Sequence, residues 1–238
     1  MTTVVLSQPM FFPWVGMFEQ MWLADVYVHY DDAQFSKGSF TNRVQIKTAQ
    51  GSKWLSVPLR DLKLGQRIAE VAVDDRQPWR ERHLAILQQN YDRAPFRDEM
   101  LALVREVYAG HGQGICALAV ASMEKICRYF ESKMPRKILY ASQLGVAGRS
   151  SQRVLDIVKR VGGSVYVTGH GARNYLDHQL FEDQGVRVEY MDYQRRPYPQ
   201  LFGEFTPFVS TLDLIANLGR AGRGLIEPKT VYWRDFAG

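Results

Sequence analysis

The sequence predicts an α/β protein: a Rossmann-like parallel sheet core that carries a β-hairpin and a helical insertion. Three observations predict it. Short apolar runs of strand length recur at Val4-Val5-Leu6, Val26-Tyr27-Val28, Ile138-Leu139-Tyr140, Val165-Tyr166-Val167 and Val186 to Tyr190, each bounded by Gly, Pro or polar residues. From 138 to 190 these runs alternate with amphipathic stretches, giving strand–helix–strand–helix–strand, which requires parallel pairing through crossovers. Between the second and third runs the pattern changes, first to strict alternation and then to helical spacing.

Taken in order, the first run is cut by Pro9 and Pro13, and an apolar stretch of helical spacing leads into Val26 to Tyr30. Asn42 to Thr48 alternates polar and apolar residues, Ala49 to Ser52 is a turn, and Lys53 to Pro58 answers it as the second arm of a hairpin. A short strand is expected at Ile68 to Val73. Three helices follow, over 80–90, 97–108 and 116–130, separated by Ala94-Pro95 and by Gly110 to Gly114. Ser150-Ser151 is expected to cap a helix over 152–161, which Gly162-Gly163 ends. A helix over 176–183 precedes the Val186 strand. The tail helix, 210–218, has Ser210 as N-cap with Asp213 completing a capping box. The expected organisation is one domain, its α/β core formed by about 1–75 and 136–238, with the helical insertion at about 78–134.

Composition sets the bounds. A chain of 238 residues with 46% hydrophobic and 12% aromatic content can bury a large core. The net charge of +5 is mildly basic with no run of like charges, which suits a phosphate-bearing small molecule; no nucleic-acid motif is present, so nucleic acid is not the expected partner. Cys116 and Cys127 lie about three helical turns apart, too far for a disulfide, and read as buried apolar residues of a reducing compartment. No signal peptide, membrane span, metal-ligand cluster or cofactor motif is read, so the expectation is a cytoplasmic protein without a cofactor or metal. The oligomeric state is left open.

In an open α/β sheet, ligands bind beyond the carboxyl ends of the strands. Gln8 follows the first strand; Asp31, Asp32, Gln34, Lys37, Asn42 and Arg43 follow the second. Adjacent carboxylates past a strand end point to opposite faces, so one of Asp31 and Asp32 is expected in the pocket as a general base or amine-orienting group. Lys37 and Arg43 supply cations for a phosphate or carboxylate. Thr168-Gly169-His170-Gly171-Ala172-Arg173-Asn174-Tyr175 is a glycine-bearing turn between a strand and a helix, open to close approach by an anion; it matches neither G-x-G-x-x-G nor a Walker loop. His170 is the best-placed histidine. The aromatic segment 198–208 reads as core packing in preference to a lid. No catalytic serine elbow or glycosidase carboxylate pair is identifiable.

The stretch SQPMFFPWVGMFEQMWLADVYVHYDDAQFSKGSFTNRVQIKT closely resembles the opening of the WbqC-like family, found in bacterial surface-polysaccharide and amino-sugar loci. The resemblance continues through YVTGHGARNYLDHQLFEDQGVRVEY and FGEFTPFVSTLDLIANLG. Gln8, Phe11, Pro13 and Gly16 match its motif, as do Phe205, Pro207, Ser210, Asp213 and Asn217. The layout is also similar to the opening of nucleotidylyltransferases, but Phe12-Pro13-Trp14-Val15-Gly16-Met17 stands where their H-x-G-H would fall, so phosphate binding by paired imidazoles is not expected. The resemblance implies a transferase of O-antigen or other surface-glycan metabolism that places an acyl or aminoacyl group on a nucleotide-linked amino sugar. A non-catalytic nucleotide-sugar binding protein and an accessory subunit of a glycan enzyme remain alternatives.

Overall fold

A computed structural model describes residues 1–110, 114–131 and 134–236. The apolar runs form one six-stranded sheet: β1 (Thr3–Ser7), β2 (Val26–His29), β7 (Lys137–Tyr140), β8 (Val165–Thr168), β9 (Arg187–Met191) and β10 (Thr230–Tyr232), arranged β10-β9-β8-β1-β2-β7. All neighbours pair in parallel except β10, which closes one edge antiparallel to β9. The hairpin is β3 (Arg43–Thr48) and β4 (Gly51–Ser56), and β5 (Leu59–Arg60) pairs with β6 (Ala72–Val73). Numbered along the chain, the main sheet runs third-second-first-fourth-fifth-sixth, so winding reverses between β1 and β8.

The period of two along a strand divides the core into two layers. Val5, Tyr27, Val165 and Val167 face a cluster built with α1 (Val15–Leu23), the hairpin, α2 (Trp79–Asn90), α3 (Arg97–Ala109), α4 (Ile115–Tyr129) and α7 (Thr211–Leu218). Val4, Leu6, Val26, Val28 and Tyr166 face the opposite layer, made by α5 (Ser150–Arg160) and α6 (His178–Asp183). Both faces being covered explains why these strands read as continuous apolar runs. Gly163 has no room for a side chain, since a Cβ there would lie 2.5 Å from Val4, and Gly162 ends α5 at φ +78°.

Three local expectations are corrected, and one strand had no expectation. Ile68–Glu70 is a 3-10 turn, braced by Glu70 reaching back to the Arg67 amide at 3.1 Å, and only Ala72–Val73 is strand. Ser150 and Ser151 do not cap α5; Arg149 is the N-cap, and Ser151 Oγ instead accepts the Asp177 amide at 2.9 Å and donates to the Tyr175 carbonyl at 3.3 Å. Ser210 does cap α7, accepting from the Leu212 amide, but Asp213 makes no capping box: its carboxylate accepts the Tyr91 and Tyr198 hydroxyls, both at 2.9 Å. β10 was not expected, because three residues at an edge carry no readable period. Of the break predicted at Gly110 to Gly114, residues 111–113 lie outside the described residues.

Candidate active site

The C-terminal ends of β1 and β8, on either side of the winding reversal, open into a cleft of about 740 Å³. Its floor is Leu6, Ser7 and Gln8 from β1 and its exit, with Thr168, Gly169, His170 and Gly171 from β8 and the turn after it. That turn is 3-10 over His170–Ala172; the following α-helix begins only at His178, with Asp177 as its cap, so the glycine turn does not end on a long helix. Trp14, Met17 and Gln20 of α1 and its N-cap supply one wall, and Tyr30, Ser150, Val154 and Tyr175 the other. Tyr193 and Arg195, from the long connection after β9, and Phe208, before α7, complete the rim.

The walls are built of aromatic rings packed at a tilt to one another. His170 lies 5.1 Å from Tyr193, Tyr193 lies 4.8 Å from Trp14, and Trp14 lies 5.7 Å from Phe208, centroid to centroid. Arg195 sits 4.9 Å above the Phe208 ring. Its backbone is held at φ +46°, a left-handed conformation that costs a non-glycine residue free energy and fixes the side chain at the rim. Gln20 Nε2 donates to the Tyr193 hydroxyl at 2.6 Å, and a Cβ at Gly169 would lie 3.1 Å from that nitrogen. A side chain at Gly169 would thus press on the Gln20–Tyr193 bond. The indole of Trp14 folds back over Gly16, where a Cβ would come within 2.2 Å of the ring.

The electrostatics are one-sided. Among the described residues no Asp or Glu lines the cleft, and Arg195 is its one fixed cation. His170 Nε2 lies 2.6 Å from the Met191 carbonyl. A carbonyl only accepts, so Nε2 carries the hydrogen and Nδ1 is the basic nitrogen of the neutral ring.

The predicted residues divide into three groups. Gln8, Thr168, Gly169, His170, Gly171 and Tyr175 meet at the cleft. Gln34, Lys37 and Asn42 line a separate depression of about 610 Å³ with Leu59, Leu62 and Lys63. Asn42 there also donates to the Val57 carbonyl at 3.0 Å. Asp31, Asp32, Arg43 and Arg173 line neither. Asp31 is buried with both oxygens on Ser142, accepting its amide at 3.0 Å and its hydroxyl at 2.6 Å, which ties the end of β2 to the end of β7. Asp32 pairs with Arg153 at 2.5 Å, the two side chains 11% and 12% exposed, and Arg153 also donates to the Tyr30 hydroxyl. The expectation that one of the adjacent aspartates enters the pocket is thus not met: each is taken up by a partner more than a hundred residues away. Arg43 lies 4.0 Å above the Trp54 ring, and Arg173 lies 5.5 Å from the Phe236 ring.

Three residues of this region were not anticipated. Arg195 and Tyr193 lie on an irregular connection, where the adjacent arginines 195 and 196 just past a strand were the one available signal. Glu19 is the single carboxylate of α1 and is only 3% exposed; burial pushes its carboxyl up to about 7, with Asp192 raising it further and Arg196 opposing. A lone acid in an apolar helix was its signal.

The segments carrying the sequence resemblance converge here: Ser210 donates to the Phe12 carbonyl and Thr211 to the Pro13 carbonyl, both at 2.7 Å, so the start of α7 holds the turn into α1. A model of the WbqC-like protein family matches residues 8–224. The chain belongs to that family. It is 30% identical over 222 residues to the uncharacterized protein Rv1507c of Mycobacterium tuberculosis (strain ATCC 25618 / H37Rv), covering 92% of this chain and 95% of the relative. No solved structure matches.

In this WbqC-like protein Cys116 and Cys127 are both buried on α4 without a disulfide, and burial pushes the Cys116 thiol up to about 12, which disfavours a thiolate nucleophile. Among the described residues no cluster of His, Cys, Asp and Glu can hold a metal ion, and no helix is long and apolar enough to cross a membrane.

Proposed function

We propose that the cleft is a Rossmann-like ligand site that binds a nucleotide-linked amino sugar, and that the protein transfers an acyl or aminoacyl group to that sugar in surface-glycan biosynthesis. The observation that carries the reading is the cleft itself: it lies at the winding reversal between β1 and β8, walled by aromatic rings, with Arg195 at the rim and no carboxylate. Ligands of open α/β sheets bind at this point of the topology. Aromatic faces suit a nucleobase and the apolar face of a sugar, the arginine suits a diphosphate, and the absence of carboxylates spares an anion repulsion. His170 Nδ1 is the group proposed to take the proton from the attacking atom. The glycan setting rests on the resemblance to a family of surface-polysaccharide and amino-sugar loci.

A second reading, binding without turnover, is favoured by one observation: Asp31 and Asp32, the acids that follow β2, are committed to Ser142 and Arg153. A thermal-shift screen against nucleotides, nucleotide-sugars and acyl donors tests both, because a ligand of the folded state raises the melting temperature by mass action. The transferase reading expects a shift with a nucleotide-linked amino sugar that Arg195→Ala abolishes, and product formation with one of the donors that His170→Ala abolishes. A shift without product for any donor would favour the second reading, and the absence of any shift would overturn both.

A further inference from the structure

Behind the aromatic wall lies a second, smaller hollow. Trp14, Tyr193 and Arg195 line both it and the cleft, and Glu19, Tyr198 and Phe205 line it from the far side. Its free space is about 20 Å³, room for one water-sized group. Glu19 Oε2 is buried there without a hydrogen-bond partner. A buried carboxylate oxygen with no donor is costly, and a hollow of this size beside it marks where a donor belongs.

The surrounding charge and ring faces specify the donor. The carboxylates of Asp192 and Glu227 act on Glu19 with the same sign, and Arg196 opposes them. Arg196 is itself spent on Glu227, to which it is bound through both of its terminal nitrogens. Arg195 is drawn over Phe208. With Arg196 and Glu227 neutralising each other and Arg195 turned to Phe208 at the rim, the group in the hollow that wants a partner is Glu19, and the aromatic rings facing it present negative faces that attract a cation. An ammonium group has about the size of a water molecule. A carbonyl has no hydrogen to give Oε2, and a hydroxyl gives one without the charge that pairs with a carboxylate.

We infer that the Glu19 hollow is a primary-amine subsite: a ligand in the cleft seats its amino group at the Trp14–Tyr193 wall, where it donates to Glu19 Oε2. This rests on the nucleotide-sugar reading for the remainder of the ligand and specifies its recognised group, a free amine as opposed to an N-acylated one. Tyr193, bonded by Gln20 and packed against Trp14 and His170, is the side chain that turns to admit it.

The test compares UDP-glucosamine, UDP-N-acetylglucosamine and UDP-glucose by calorimetric titration at pH 7.5 on the wild-type protein and on Glu19→Gln, which keeps the side-chain shape. Wild type should prefer UDP-glucosamine to both others by about tenfold or more. Glu19→Gln should bind all three with the affinity wild type shows for UDP-glucose. Equal binding by wild type, or a preference that survives Glu19→Gln, would overturn the assignment. Methylammonium chloride, read by tryptophan fluorescence against matched sodium chloride, probes the hollow without the cleft. A saturable response in wild type and none in Glu19→Gln supports the subsite even if no nucleotide-sugar binds, a result that would instead sink the cleft reading. No response to methylammonium, as expected of a hollow that holds only a water, would overturn the subsite. A melting temperature for Glu19→Gln at or above wild type at pH 7.5 shows that a lost response is not lost folding.

Discussion

Glu19→Gln should stabilise the protein at alkaline pH and change the shape of its stability profile. Glu19 is buried, and its carboxyl is raised from an unfolded value of 4.5 to about 7. Between those values the native state binds more protons than the unfolded state, so stability falls as pH rises, and the loss is complete only above the folded pKa. The gap between the two values corresponds to a loss on the order of 3 kcal/mol. Glutamine does not ionise, so its contribution is constant across this window; its buried amide costs the same at every pH. The quantity to measure is the difference between wild type and Glu19→Gln in urea unfolding at pH 4.5 and pH 8.5. It should move by about 3 kcal/mol in favour of the variant, or about 6 to 12 °C in melting temperature for a chain of this size. Parallel profiles for the two proteins would refute the reasoning, because they would mean that Glu19 titrates alike when folded and unfolded.

Asp31→Asn should lower stability by about 1 to 3 kcal/mol in urea unfolding, since it weakens two hydrogen bonds to Ser142 in a buried place, while leaving nucleotide-sugar affinity within twofold of wild type; a loss of binding with unchanged stability would return Asp31 to the site. Lys47→Met should release the connection over 200–206, because the buried ammonium donates to Gln200 and to the Gly203 and Glu204 carbonyls; faster amide exchange there with α7 still protected is the expected result, and unchanged exchange would contradict it. His29, fully buried between Tyr27 and Tyr140 with its carboxyl-facing neighbour Asp31 opposing the trend, is held down to about 4 by burial. Its share of stability is present above pH 6.5 and lost as pH falls through 4, so His29→Phe should flatten the acid limb, and an unchanged limb would count against it.

The sheet was legible because its central strands β1, β2 and β8 are buried on both faces and bounded by breakers, and α2 to α4 because their apolar positions recur at helical spacing. The lining of the candidate cleft was legible where it lies on strand ends: Gln8 follows β1, Thr168 ends β8 with Gly169 to Gly171 after it, and the topology brings those two ends together. It was not legible where a side chain's partner is remote. Asp31 and Asp32 look like pocket acids until Ser142 and Arg153 are placed beside them. Asp213 fits a capping box by spacing, yet Tyr91, 122 residues away, draws its carboxylate into the core. Arg195 and Tyr193 lie in a connection without periodicity, and their position depends on how that connection packs over α1. Glu19 shows the converse: an acid that the sequence places on an apolar helix borders a hollow that only the fold reveals.

The most direct test of the central claim is a crystal structure of the wild-type protein grown with saturating UDP-glucosamine. The account predicts ligand density between Gln8 and the Gly169–Gly171 turn, with the diphosphate at Arg195 and the amino group at the Trp14–Tyr193 wall facing Glu19. Density in the depression formed by Gln34, Lys37 and Asn42, with the cleft between β1 and β8 left to solvent, would contradict it.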